Sequence, residues 1–186
     1  MMYGLRPLWP LARFKWLLTT GQYARNAESR LFAGNLVGQA NTALVYHDRR
    51  VMALHEQSAP FVVRLLADGA WESVGHHVYG GRLDGFPMTA HPKVDPDTGE
   101  MFFIGYQGMD PKKPSVTFAA VSAAGELTHS FDVGLKRVAF MHDFACSATR
   151  AVVLDLPYLI DPKGLLEGQF IAKGDPRGLT RFGVFD

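Results

Sequence analysis

Two short stretches each place one histidine inside an apolar run typical of a β-strand: PMTAHPKVDP at residues 87–96 and FMHDF at residues 140–144. Their apolar neighbours predict that the imidazole rings of His91 and His142 are buried. A buried polar ring without a partner costs about 1–3 kcal/mol, so each ring requires a hydrogen bond or a metal ion. These two histidines are therefore candidate metal ligands on strands of a β-sheet.

The composition is that of one globular domain. The chain has 186 residues, of which 47% are hydrophobic, enough for one sizeable core. The 19 basic and 18 acidic residues nearly cancel, so the charge gives no indication of a nucleic-acid partner. The single cysteine, Cys146, excludes an internal disulfide framework and fits a reducing compartment. No stretch reaches the roughly 18 uninterrupted apolar residues of a membrane span.

The start of the chain is basic and acid-poor, with Glu28 as its acid and with the cations Arg6, Arg13, Lys15, Arg25 and Arg30. Leucine and phenylalanine recur there at helical spacing and predict an amphipathic helix from about Pro10 to Tyr23. Such a helix either packs on the domain or, being basic and rich in tryptophan, meets a membrane interface or belongs to a transit peptide. We assign residues 1–33 to this segment and residues 34–186 to the main domain.

From Asn35 onward the pattern changes to short alternating or apolar runs separated by turn residues, which is typical of antiparallel β-structure. The predicted strands cover residues 42–47, 51–55, 61–67, 88–91, 101–106, 116–121, 127–133, 140–146 and 151–156. Asp68-Gly69 and residues 95–99 predict turns, and the stretch 161–178 predicts a loop. The domain is therefore predicted to be all-β, although periodicity alone does not distinguish a propeller from a sandwich.

The two histidine stretches, in their order and separation, resemble the first and second iron-ligand motifs of the carotenoid cleavage oxygenases. Weaker similarities extend the resemblance from about Gly34 to the C-terminus: GQANT at 38–42, LHE at 54–56, GRLD at 81–84 and RFG at 181–183. Members of this family are seven-bladed β-propellers whose axial iron is held by four histidines from inner strands of different blades. The resemblance implies a partial β-propeller of two to three blades, which the N-terminal helix would precede.

Family members are much longer than this chain, and their third and fourth histidine ligands lie further downstream. The resemblance therefore implies a truncated form or an incomplete gene product, in which His91 and His142 are two of four iron ligands. Its last blade would present unpaired strand edges, which favour aggregation. The turn after Glu56, residues 57–60, departs from the small or acidic residues of the family.

For the complete family the activity is that of a non-haem Fe2+ dioxygenase, which splits a conjugated double bond of a carotenoid or apocarotenoid with dioxygen into two carbonyl products. Imidazole nitrogens suit Fe2+, and an apolar tunnel suits a polyene. At the position of Glu56 the family has a glutamate that accepts a hydrogen bond from a ligand imidazole and orients its ring; the alternative is a surface glutamate. The chain alone is expected to be inactive.

The remaining titratable residues predict no second site. His47, His55, His76, His77 and His129 are interpreted as structural or solvated. Asp143 follows His142 in a predicted strand and would point to the opposite face, so it is not expected to be a ligand.

Other function classes lack their motifs. The sequence has no G-x-S-x-G elbow of a hydrolase and no G-x-G-x-x-G of a dinucleotide enzyme. The competing hypothesis is a non-catalytic propeller fragment that acts as a binding or regulatory module.

The expected partners are a carotenoid or apocarotenoid and dioxygen, with no nucleic acid. The basic start leaves a peripheral membrane contact open, and the oligomeric state stays open as well. Residues 81–96 and 112–114 look closest to plant-type members, which favours a plastid location over a cytoplasmic one. An epoxycarotenoid or a stilbene also remains a candidate substrate.

Overall fold

A computed structural model describes residues 40–56, 58–82, 87–106, 116–135, 139–161, 164, 167, 169–170 and 172–186. The predicted helix from Pro10 to Tyr23, the whole 1–33 segment and residues 112–114 lie outside these ranges. Within them the structure is all-β, as predicted, and its strands pair antiparallel. No helix in the described part combines the length and apolar character that a membrane span requires.

The first sheet is a four-stranded antiparallel meander in the order β1-β2-β3-β4. Its strands are β1 (Ala43–His47), β2 (Arg50–Leu54), β3 (Phe61–Leu65) and β4 (Trp71–His76). The first hairpin closes through Asp48 and Arg49, whose φ angles of 46° and 58° match the two left-handed positions of a type I′ turn. This turn has the right-handed twist of the strands it joins and sets their register.

The second sheet repeats the same meander in the order β5-β6-β7-β8. Its strands are β5 (Lys93–Val94), β6 (Met101–Tyr106), β7 (Val116–Val121) and β8 (Leu127–Asp132). Its middle strands are the most buried of the described chain, because another sheet packs on each face.

The third sheet has the order β13-β10-β9, and a separate β11-β12 hairpin lies between β10 and β13 in sequence. These strands are β9 (Phe144–Cys146), β10 (Ala151–Asp155), β11 (Tyr158–Ile160), β12 (Ala172–Gly174) and β13 (Arg181–Phe185). None of the sheets in the described residues closes into a barrel or ring.

The sheets stack face to face through two apolar cores. Along β6 the side chains alternate: Phe103 packs in a core with Met52 of the first sheet, whereas Ile104 packs in a core with Val153 of the third sheet. Phe103, Ile104 and Val153 are fully buried. Four-stranded antiparallel meanders stacked in this way are the building units of a β-propeller.

The strand predictions succeed best where burial is greatest. Strands β6 and β7 have the predicted bounds, and the strands predicted near β1, β2, β3, β8 and β10 are found with small shifts. The strands not predicted are β4, β5, β11, β12 and β13, and β12 falls in the predicted loop. Most of β4 is exposed, so it has no alternation of apolar and polar residues that could identify it.

The two histidine stretches differ from their predicted conformation. Residues 88–91 form no strand, and the predicted strand 140–146 begins only at Phe144. The backbone N–H groups of Met88 and Thr89 donate instead to the carbonyls of Ser58 and Ile104. His91 and His142 therefore lie in loop segments that lead into β5 and β9, and not within strands.

Candidate metal centre

His91, His142 and Glu56 converge from three separate parts of the fold. Glu56 follows β2, His91 precedes β5 and His142 precedes β9, so each of the first three sheets brings one residue. One ligand atom from each residue lies within 4.8 Å of those of the other two. Among the histidine, cysteine and acidic side chains of the described residues, these three form a group whose ligand atoms are close enough together to hold a metal ion.

The two imidazoles meet through equivalent nitrogens. Nε2 of His91 lies 3.0 Å from Nε2 of His142, and the ring planes cross at 69°. Nitrogens that bind one metal ion at about 2.1 Å can lie this far apart. Neutral imidazoles each have one lone pair to offer, so the arrangement suits a shared cation.

Glu56 lies behind this pair, closer to His142. Its Oε1 is 3.4 Å from Nδ1 of His142 and 4.0 Å from Nε2 of His91, and it accepts the backbone N–H of Ala90 at 3.0 Å. Its Oε2 is buried and has no hydrogen-bond partner among the described residues. Burial raises the pKa of Glu56, against the opposing effects of the Ala90 N–H and of His142. A cationic neighbour, such as a metal ion or a protonated imidazole, would stabilise its charged form.

The histidine rings are more exposed than the sequence predicts. The side chain of His91 is 35% exposed and that of His142 is 55% exposed. Their neighbours Met88, Ala90 and Met141 are buried in the two cores, as expected. In these loops the apolar neighbours turn into the cores while the imidazoles project away from them, so the inference of buried rings was wrong.

Asp143 does not join the cluster and instead pairs with Lys93, a contact that sequence reasoning missed. Its Oδ1 lies 2.7 Å from Nζ of Lys93 and accepts the backbone N–H of Phe144 at 2.8 Å. Burial would raise the pKa of Asp143, but these hydrogen bonds and the charge of Lys93 outweigh it and lower the pKa. The ion pair joins the two histidine-bearing segments at the surface.

The five remaining histidines lie outside the cluster. His47 is buried with its Nε2 3.0 Å from the carbonyl of Gly99, and Nδ1 of His76 lies 3.0 Å from the carbonyl of Ala59. Burial lowers the pKa of both His55 and His77. The side chain of His129 is exposed on β8.

Comparison with known proteins places these features in a family. A family model described as retinal pigment epithelial membrane protein matches residues 10–186. Carotenoid 9,10(9',10')-cleavage dioxygenase 1 of Arabidopsis thaliana is 40% identical over 148 residues, which are 79% of this chain and 27% of that protein. The chloroplastic 9-cis-epoxycarotenoid dioxygenase NCED1 of Oryza sativa subsp. japonica is 36% identical over 151 residues, which are 80% of this chain and 23% of that protein. The chain thus spans about a quarter of the length of these relatives.

Solved structures show the same fold at lower identity. A lignostilbene dioxygenase from Pseudomonas brassicacearum superposes with a TM-score of 0.71 at 24% identity, over 90% of this chain and 36% of that chain. A Synechocystis apocarotenoid oxygenase variant gives a TM-score of 0.66 at 22% identity, over 84% of this chain and 34% of that chain. These neighbours are propellers, so the predicted all-β partial propeller of two to three blades is confirmed. The family match and the sequence identities together show that this chain belongs to the carotenoid cleavage oxygenases, the retinal pigment epithelial membrane protein family.

Proposed function

We propose that His91 and His142 are two ligands of an Fe2+ ion in a dioxygenase that cleaves carotenoids or apocarotenoids, and that Glu56 orients His142. The observation that carries the proposal is the 3.0 Å separation of the two Nε2 atoms, with the Glu56 carboxylate on the Nδ1 side of His142. A carboxylate at Nδ1 holds the proton there, which leaves Nε2 free to bind a cation.

The donor set fits ferrous iron. Imidazole nitrogens bind Fe2+ well, and neutral ligands leave the positive charge of the ion uncompensated. The bound ion would supply the redox chemistry by which dioxygen splits a conjugated carbon–carbon double bond into two carbonyl groups. Glu56 would orient the His142 ring and keep its Nε2 atom deprotonated.

The site formed by this chain is incomplete by the family pattern. His91 and His142 are the histidines of the cluster in the described residues, whereas the family uses four. The chain spans 27% of the Arabidopsis relative, so further ligands and most of the substrate tunnel would come from a longer protein. We therefore expect that the isolated chain does not turn over a carotenoid.

The names of the relatives support a substrate class and a location. The dioxygenase names support a carotenoid or apocarotenoid with dioxygen as co-substrate. Two relatives are named chloroplastic and others are not, which supports a plastid location without extending it to the whole family. Residues 34–186 would form the propeller part, and the family match from residue 10 leaves the boundary after residue 33 a prediction.

A binding or regulatory module without turnover is the second candidate. It is favoured by the exposure of the His91 and His142 side chains, 35% and 55%, which leaves the cluster open to solvent on this chain. Such a module would bind the ion or the polyene and release it unchanged.

Anaerobic titration of the purified chain with Fe2+, and with Co2+ as a spectroscopic substitute, tests the proposal. The parent chain should bind one ion, and both His91→Ala and His142→Ala should abolish binding. His129→Ala, which removes an exposed histidine of β8, is the matched control and should bind as the parent does. Binding that survives both ligand substitutions would overturn the site. Cleavage of a carotenoid by the isolated chain would overturn the expectation that it is inactive.

A further inference from the structure

Thr89 is a polar residue in the apolar core with contacts to every member of the cluster. It is only 1% exposed and lies between the buried side chains of Met88 and Ala90. Its Oγ1 accepts the backbone N–H of His91 at 3.1 Å and donates to the backbone carbonyl of His142, also at 3.1 Å. Oγ1 also lies 3.4 Å from Oε1 of Glu56.

One hydroxyl thus joins the backbones of two residues that are far apart in sequence. A threonine hydroxyl has one proton and two lone pairs, so it can accept from His91 and donate to His142 at the same time. Because Thr89 is buried, water does not compete for its hydroxyl, and removing that hydroxyl takes away the acceptor of the His91 N–H and a donor to the His142 carbonyl. The bonds therefore fix the His91 backbone relative to the His142 backbone.

We propose that Thr89 is the positioning residue that sets the separation of the His91 and His142 imidazoles. The proposal rests on the proposed function, since it assigns Thr89 a purpose at that metal site. Short loops carry both histidines, and no ladder of strand hydrogen bonds holds them in the part of the chain that the structure describes. A direct link between the two backbones replaces that ladder.

The ion pair between Lys93 and Asp143, which also links these segments, is poorly suited to the same task. The side chains of Lys93 and Asp143 are 35% and 50% exposed, and solvent-exposed ion pairs contribute little and tolerate several geometries. Lysine also reaches its partner through a flexible four-carbon stem, whereas the threonine hydroxyl is bonded directly to Cβ. Thr89 therefore holds the two backbones together more rigidly than this ion pair does.

Two variants of the 186-residue chain distinguish the effect of the Thr89 hydroxyl from that of its methyl group, and a third variant is the control. Thr89→Val keeps the shape and removes the hydroxyl, and Thr89→Ser keeps the hydroxyl and removes the methyl. Thr98→Val is the matched control, because the Thr98 hydroxyl bonds Glu100 in an exposed turn. Co2+ affinity is measured at a temperature at which circular dichroism shows each variant to be fully folded.

Thr89→Val should lower Co2+ affinity by about 10- to 100-fold, the scale seen when groups that orient metal ligands are removed. Thr89→Ser and Thr98→Val should bind as the parent does. If Thr89→Val proves unable to fold, the serine variant decides alone: parent-like affinity supports the role of the hydroxyl, and weakened affinity overturns it. A melting temperature lowered by Thr89→Val with unchanged affinity also overturns the proposal, because the role is then structural only.

A metal-free readout keeps this test independent of the proposed function. Crystal structures of the parent and of Thr89→Val without metal should show the separation of the two Nε2 atoms increasing from 3.0 Å in the variant. An unchanged separation would refute the positioning role. If the parent binds no metal, the proposed function fails, and the separation still decides whether Thr89 positions the rings.

Discussion

Glu56 and His142 form a carboxylate–imidazole contact in which Oε1 lies 3.4 Å from Nδ1, while Nε2 of the same ring faces His91 at 3.0 Å. The two nitrogens of His142 thus have different neighbours. A carboxylate on one side of an imidazole fixes its tautomer and its orientation, which prepares the other nitrogen for a metal ion. The 4.0 Å distance to His91 is longer, so the contact favours His142.

Replacement of Glu56 by Gln should weaken metal binding while the fold persists. The amide keeps the shape and can still accept the Ala90 N–H through its oxygen, but it loses the charge that holds the Nδ1 proton of His142. We expect Co2+ or Fe2+ affinity to fall by about 10- to 100-fold, measured by anaerobic titration. Glu56→Ala, which also removes the acceptor for Ala90, should in addition lower the free energy of unfolding by about 1–3 kcal/mol. If Glu56→Gln binds metal as tightly as the parent, the carboxylate does not orient the ring.

Tyr79 should make the fold sensitive to alkaline pH. Burial raises its pKa to about 12, from an ordinary value of 10.0. Because the unfolded chain loses this proton first, the stabilisation is fully present below pH 10 and disappears as pH rises to about 12. The free energy of unfolding should fall on the order of 2–3 kcal/mol over that range.

Denaturant unfolding at pH 9 to 12 compares the parent with Tyr79→Phe and Tyr46→Phe. Within the described part of the chain, the hydroxyl that Tyr79→Phe removes makes one long contact, to Sδ of Met52, so this variant should flatten that part of the profile. Tyr46 is 67% exposed, so Tyr46→Phe serves as the control and should leave the parent profile unchanged. An alkaline loss that is equal in the parent and in Tyr79→Phe would show that another group causes it.

The outer face of the third sheet should promote association of the chain. Phe182 and Val184 of β13 are 67% and 61% exposed, on the side of the sheet away from its core. Contiguous exposed apolar side chains favour contact with other surfaces. Phe182→Lys should reduce concentration-dependent association, measured by sedimentation velocity, and should change the free energy of unfolding by less than about 0.5 kcal/mol. If Phe182→Lys leaves the association unchanged and Leu44→Lys on the first sheet reduces it, the contact surface lies on the first sheet and not on the third.

The sequence predicted which residues form the cluster better than it predicted the burial of their side chains. His91, His142 and Glu56 were identified from a resemblance of short motifs, and the structure brings their ligand atoms within 4.8 Å. Their assignment as iron ligands and as an orienting carboxylate stays a prediction. The apolar neighbours of the histidines were assumed to bury the rings, but in a loop the direction of one side chain does not follow from that of the next.

Local patterns in the sequence were enough to predict an all-β domain. Strands such as β6 and β7 could be predicted because their apolar runs are buried on both faces. The turn at Asp68-Gly69 could be predicted because both residue types favour turns, and Gly69 adopts a positive φ of 84° there. Such patterns reflect the backbone preferences of single residues and of their neighbours in sequence, so they can be recognised without the tertiary structure. Exposed β4 has no such pattern, and it forms because β3 provides a partner.

Contacts between sheets were decided only by the tertiary structure. The bond from Thr89 to His142 joins residues 53 positions apart, and the Lys93–Asp143 pair joins residues 50 positions apart. Nothing local in the sequence specifies such distances, because they depend on how the sheets stack and on how the loops before β5 and β9 turn. The sequence therefore determined which side chains are present and the β-strands of the core, and the packing of those sheets brought three of the side chains together.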